Sequence, residues 1–467
     1  MAIITSAGVG SGLDLESIIQ ATVNAEDLPR VKRFQDTQKR LTVELSGLGA
    51  VKSSLSAFQD IIKKLADPDN FSKRTNTITQ PASGDVISVS SNATATPGNF
   101  NIKVNQLASG SRATTNAAFA APTDVVSASG GKLTVSAGSK TFDVDIAAGA
   151  TLEEVRAAIN NSADNFGVSV NIINTGGATP EAKLVVTSNV TGAGNDLTIT
   201  SDTAELDSVS TAAFGGGAGG LAIAVADQAK DAIIEVDGIA ITNATNVFKD
   251  AVQDLTITAT KVSEGTETAK LTVDYDKTGV EDLIESFIEA YNNAVGTIDY
   301  HTKVGSSLYG DSAMRGLKNQ LTNTLSTLVS GAGGFETLFD VGIGLTKEGT
   351  LEKSSLVRSI NEALTSNYAD VGTLFSGANG VAKAFESLLE IQLESEGSFK
   401  FREDSLNKSL KQLENDQASH DYRMTQLEAG LRAKYANLDV LIAQLQSTGS
   451  YITQQLASLP GFGGGKK

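Results

Sequence analysis

Apolar residues recur every three and four positions at both ends of this chain, and every second position between them. Phe34, Leu41, Leu48, Leu55 and Ile62 step by seven, with Leu45, Val51, Phe58 and Leu65 interleaved. That is the a-and-d stripe of a helix that packs along another helix. Asp14 is placed to cap a short helix ahead of it, carrying Leu15, Ile18, Ile19 and Val23. Pro29 suits the first turn of a second helix, where its missing N–H costs nothing, and Pro68 ends that helix. A longer stripe lies near the other end: Leu410, Gln417, Met424, Leu431, Leu438, Leu445, Ile452 and Leu459. Its companion series is Leu406, Leu413, His420, Leu427, Lys434, Leu441 and Thr448. A helix over Leu406–Leu459 would be on the order of 80 Å long. Neither arm can bury its stripe alone, so the two must pair with each other or with other subunits. Gln417, His420, Lys434 and Thr448 interrupt the seam with polar groups. Such intruders fix register and weaken packing.

From about residue 75 to 276 the period becomes two. Segments 85–91, 99–107, 132–136, 141–146, 168–173, 183–187, 197–200, 255–262 and 271–275 alternate or are β-branched, and read as strands. Thr151 with Glu154 forms a capping box ahead of one helix carrying Val155 and Ile159. Asp237-Gly238, between two apolar runs, predicts a tight hairpin. Helices are expected again over 279–298, 313–330 and 354–365, and from about 379 into the long C-terminal stripe. The fold class is α+β and multidomain: a coiled-coil-like leg formed by both termini, a mixed helical domain, and two small β-rich domains inserted between them.

Composition narrows the function. The chain has 467 residues, enough for about three domains. Trp is absent and Gly contributes 45 residues, so the β-domains have modest cores. The net charge of −17 opposes binding to nucleic acid and anionic membranes. No apolar run reaches the length of a membrane span. With zero cysteines, disulfides, thiol nucleophiles and Cys-ligated metals are excluded. The opening stretch has no basic n-region and no continuous apolar run, so no cleaved leader is expected.

Candidate chemistry is sparse. Of two histidines, His301 falls in a polar segment read as a loop, and His420 falls in the apolar stripe as a register-setting core position. No catalytic, cofactor-binding or metal-binding set stands out. Gly215, Gly217 and Gly220 match a dinucleotide fingerprint in spacing only, because an expected strand follows instead of a helix. Asp274, Asp276, Thr278 and Glu285 nearly fit a calcium loop, but a strand precedes them. Thr278 and Glu281 read better as a capping box for the next helix.

Three stretches together resemble one family. They are GVGSGLDLESIIQATVNAE (8–26) with the following 28–58, GNFNIKVNQLAS (98–109), and LFDVGIGLTKEGTLEKSSLVRSINEAL (338–364) with VGTLFSG (371–377). The chain resembles the flagellar filament cap family, also called flagellar hook-associated protein 2. Residues 110–225 carry little of the likeness. The resemblance implies a structural protein with no active site and no cofactor. It implies a homo-oligomeric ring at the filament tip that promotes folding and insertion of flagellin arriving through the channel. It implies secretion by the flagellar type III export apparatus, with an export chaperone, to the extracellular flagellum. Its domains would be 1–42 with 406–467 (leg), 43–75 with 277–405 (helical), 76–109 with 226–276 (β-rich), and 110–225 (inserted β-rich). The self-association residues expected on the legs are Phe34, Leu41, Leu48, Leu55, Leu410, Gln417, His420, Met424, Leu431, Leu438, Leu445, Ile452 and Leu459. The alternatives are another axial protein, flagellin-like or from the hook–filament junction, and an adhesin whose β-domains bind host mucin.

Overall fold

A computed structural model describes residues 12–176 and 181–458. The chain opens with α1 (Leu15–Ala66). Strands follow as β1 (Arg74–Thr79), β2 (Ile87–Ser91), β3 (Gly98–Gln106), β4 (Gly110–Thr115), β5 (Val125–Ser127), β6 (Gly131–Ala137), β7 (Lys140–Ile146) and β8 (Ala150–Thr151). After α2 (Leu152–Asn161) come β9 (Val168–Thr175), β10 (Glu181–Thr191), β11 (Thr198–Ser201), β12 (Leu221–Ile223), β13 (Ala232–Val236), β14 (Ile239–Asn243), β15 (Val247–Lys249), β16 (Leu255–Ala259) and β17 (Ala269–Tyr275). The rest is α3 (Lys277–Thr302), α4 (Ser312–Leu325), the hairpin β18 (Ile343–Leu345) and β19 (Leu351–Lys353), α5 (Ile360–Ser366), α6 (Tyr368–Ser376), α7 (Val381–Leu393) and α8 (Ser398–Ser458).

Two compact units result. One joins the chain ends, residues 1–70 and 277–467, and the other is residues 71–276. In the first unit, α1 packs on α3, α7 and α8. Leu48, Leu55, Phe58 and Ile62 are wholly buried. Phe58 sits at the centre of an aromatic cluster, with ring centroids 5.9 Å from Phe287, 5.8 Å from Tyr291 and 5.2 Å from Phe385. The contacts with Tyr291 and Phe385 are edge-to-face and the one with Phe287 is tilted, and such ring pairs add to area burial. Burial pushes the Tyr291 hydroxyl pKa up, while its oxygen donates to the Gly349 carbonyl at 3.1 Å.

The second unit holds two cores. In one, the sheet β1-β17-β3-β13-β14 faces β15-β16-β2 across Ile102, Val104, Ile234, Phe248, Ile257 and Leu271. In the other, β12-β4-β10-β9 and β11-β6-β7 enclose Leu133, Val135, Leu184, Val186 and Ile199, with α2 supplying Leu152, Val155 and Ile159. Both capping-box bonds of α2 form: Glu154 N donates to Thr151 Oγ1 at 3.3 Å, and Thr151 N donates to Glu154 Oε2 at 2.8 Å. The Asp237-Gly238 hairpin joins β13 to β14, with φ of +47° and +84°. Two positive φ values suit the right-handed twist of the strands, which is why Asp-Gly is preferred there.

Several local expectations need correction. Pro29 does not start a second helix; it lies inside the continuous α1. The lost bond would go to the carbonyl of Ala25, a solvent-exposed residue, and side chains just before it are tied to α8 (below). Thr278 does not cap α3, which begins one residue earlier at Lys277. That also leaves no twelve-residue calcium loop, and Glu285 lies on α3 in an ion pair with Lys353. The helix expected over 354–365 forms only from Ile360, where Ser359 and Glu362 make a capping box. The helix expected from 379 breaks at Glu394–Gly397, separating α7 from α8. His301 lies in the last turn of α3, not a loop, with Nδ1 2.7 Å from Ser307 Oγ.

Candidate functional site

α1 and α8 pack against each other along an antiparallel seam. Acids on α1 meet bases on α8 in opposite chain order. Arg432 donates to both oxygens of Glu16, at 2.7 and 2.6 Å. Arg423 donates to Glu26 at 2.9 Å, and His420 Nε2 lies 2.9 Å from Asp27 Oδ1. Nearer the helical core, Arg402 approaches Glu44 at 3.6 Å and also pairs with Asp311, the N-cap of α4. As the α1 partner advances from 16 to 44, the α8 partner retreats from 432 to 402. This ladder fixes the register of the two helices.

Each pair adds local electrostatics. The Arg432 hydrogen bonds hold the Glu16 carboxyl below its ordinary pKa. Glu16 and Glu428 together hold the Arg432 guanidinium pKa above its usual range. Burial pushes the Asp311 carboxyl up, but Arg402 and the α4 backbone N–H groups outweigh it and leave it lowered. The pairs are mostly exposed, so they choose register more than they add stability.

The sequence-expected residues fall into three groups. Leu41, Leu48 and Leu55 are buried, and Leu48 and Leu55 belong to the helical core. Phe34, Leu410, Gln417 and Leu431 are half-buried, while His420 and Met424 are buried. Phe34 presents its ring to His420 in an edge contact at 5.7 Å. His420 Nδ1 is buried without a hydrogen-bond partner. Past Arg432 the stripe emerges: Leu438 is 40%, Leu445 64% and Ile452 51% exposed. Leu459 lies outside the described residues.

The cause is a length mismatch. α1 begins at Leu15, opposite Arg432, while α8 runs on to Ser458. Along those last turns, about 39 Å at 1.5 Å per residue, Leu438, Val440, Leu441, Leu445 and Ile452 are exposed, whereas Asp439 is buried. Asp439 is the only charged residue from Tyr435 to Ser458. Exposed leucines without a charged face form an apolar surface stripe. Sequence reading found this stripe but missed the acid–base ladder. The signal was there, in the mirrored spacing of Glu16, Glu26 and Glu44 against Arg432, Arg423 and Arg402.

The Gly215–Gly220 tract forms a turn before β12. A Cβ on Gly219 or Gly220 would sit 2.2 and 2.3 Å from the carbonyl oxygens of Ser210 and Ser208. These glycines permit backbone packing, and no helix follows to hold a phosphate.

Comparison with known proteins follows this architecture. Residues 11–111 match the model "Flagellar hook-associated protein 2 N-terminus", and 229–447 match "Flagellar hook-associated protein 2 C-terminus". The flagellar hook-associated protein 2 of Aeromonas caviae is 37% identical over 463 residues, covering 96% of this chain and 97% of that protein. The chain belongs to the flagellar hook-associated protein 2 family. The A-type member of Pseudomonas aeruginosa is 31% identical over 485 residues, covering 98% of each. The crystal structure of the flagellar cap protein D1-D2-D3 domains from Escherichia coli aligns with a TM-score of 0.60 at 30% identity. It spans 77% of this chain and 99% of that one. Residues 132–190 match the "Flagellin hook IN motif", in the inserted core where the sequence alone supported only a generic β-domain. Among the described residues no helix is long and apolar enough to cross a membrane.

Proposed function

We infer that this protein caps the distal end of the bacterial flagellar filament, as a ring of several copies. The full-length likeness to hook-associated protein 2 members supports that reading over a flagellin or a hook–filament junction protein. The observation that carries it is the stripe of exposed leucine and isoleucine side chains near the end of α8, which suits insertion among other helices at the filament end. The α1–α8 leg would be residues 1–42 with 406–467. The two cores of residues 71–276 would act as the separately folded β-domains. Flagellin arriving unfolded through the channel folds against the cap and joins the filament below it. Export would use the flagellar type III route with a chaperone, and a chain without cysteine threads that route without cross-linking. No observation here favours mucin binding.

The seam is weak by construction. Gln417 is half-buried, His420 leaves one nitrogen unpaired, and Lys434 and Thr448 are exposed within the stripe. Such a seam breaks and reforms contacts as each subunit is inserted. The test is a strain lacking the protein. It should release monomeric flagellin and form no filaments, and filaments of normal length would refute the reading.

A further inference from the structure

Several unpaired strand edges among the described residues of 71–276 are closed, in different ways. Exposed edges invite pairing, so proteins block them with short strands, charges or side-chain plugs. On β9, the Asn160 amide donates to Val170 O and accepts from Val170 N, and Asn165 does the same at Val168. On β15, the Asn243 amide donates to Val247 O at 2.7 Å. Gln80 serves β2, bonding Ile87 O and Val86 N. Thr211 closes β11 at Ile199. Lys140, Asp143 and Asp145 put charges along β7.

The edge β14 has none of these. It reads IAITN, without charge, and Ile239 is 69% exposed. Beside it lies an open groove of about 490 Å³ lined by Ile241, Val247, Phe248 and Ala251, together with the charged Lys249 and Asp250. In a two-residue hairpin the residues closing the turn, Val236 and Ile239, form a hydrogen-bonded pair. Pairs then alternate, so Ala240 and Thr242 direct their N–H and C=O groups outward. An unpaired backbone edge with a side-chain groove alongside is what strand addition requires.

We propose that β14 pairs transiently with an extended, uncharged segment of unfolded flagellin, which sets side chains into the adjoining groove. The proposal rests on the capping role inferred above. Backbone pairing tolerates many sequences, and the lack of charge on β14 avoids selecting among them. The edge is five residues long, roughly 17 Å at about 3.4 Å per residue. That is too short to bury the roughly 1,000 Å² a stable dimer needs, which favours a passing chain over a second copy.

The test is amide hydrogen exchange on the full-length protein, with denatured flagellin diluted in as the probe. Ala240 and Thr242 should exchange freely alone and slow several-fold with flagellin. The A240P variant removes one outward N–H at an edge, where proline is tolerated. It should lose that protection at Thr242, whereas A240V should keep it. Protection that depends on protein concentration without flagellin would assign the edge to a second copy and overturn the proposal. No protection, in protein that still supports filament growth in cells, would overturn it while leaving the capping role intact. Normal filaments without the protein would instead remove the capping role itself.

Discussion

Arg432 grips both carboxylate oxygens of Glu16, and this pair marks where α1 stops covering α8. The pair is the outer rung of a ladder in which only one alignment satisfies every charge. Reversing one rung should therefore open the leg locally, and reversing both should close it. E16R is expected to raise amide exchange over residues 15–25, and the double variant E16R/R432E should return it towards the parent. If the double variant exchanges as fast as the single one, the ladder does not set register.

Phe58 and Leu445 lie on the two helices of the same unit and should behave oppositely. F58A empties a space bounded by three aromatic rings, and is expected to cost about 3–5 kcal/mol in urea unfolding. L445A touches a 64% exposed side chain and should change stability by less than about 0.5 kcal/mol. It should nevertheless reduce filament growth in cells. Equal losses of stability would mean that the end of α8 is an ordinary core helix.

Glu205 offers a pH readout inside residues 71–276. Its carboxyl accepts from Ser129 N at 2.9 Å and Ser127 Oγ at 2.8 Å. The Ser129 backbone bond and then the serine hydroxyls pull its pKa from 4.5 to about 2. A lowered folded-state value means the stabilisation is complete above pH 4.5 and fades as pH falls towards 2. E205Q should lower the melting temperature at neutral pH and narrow its gap to the parent between pH 4.5 and 2. A constant gap across that range would show that the carboxylate charge is not responsible.

Much of the fold was legible because its signals are local. The capping box at Thr151 and the Asp237-Gly238 turn depend on neighbours within a few residues, and both formed. Heptad spacing placed Leu48 and Leu55 on a buried face but did not say which helices would bury them. On the same stripe, Phe58 meets Phe287 and Phe385, hundreds of residues away, on α3 and α7. Pro29 misled for a related reason. A proline usually opens a helix, but here Glu26 and Asp27 are anchored by Arg423 and His420, and the helix runs through. The closed and open strand edges were invisible in sequence, since Asn160 and Gln80 become plugs only once the sheets exist.

The seam's polar positions should be replaceable at a functional cost. Q417L, H420L and K434L together are expected to raise the unfolding midpoint of the leg and to slow filament elongation. Faster or unchanged elongation by the stabilised variant would remove the argument that the leg must release and rebind.

The most direct test concerns the exposed leucine and isoleucine stripe near the end of α8. Leu438, Leu445 and Ile452 are changed together to Ser in the full-length chain, and the variant is returned to a strain lacking the protein. Thermal unfolding should match the parent, because these side chains are exposed, yet the cells should release monomeric flagellin and build no filaments. Filaments of normal length from a fully folded variant would contradict the claim that this stripe holds the cap on the filament.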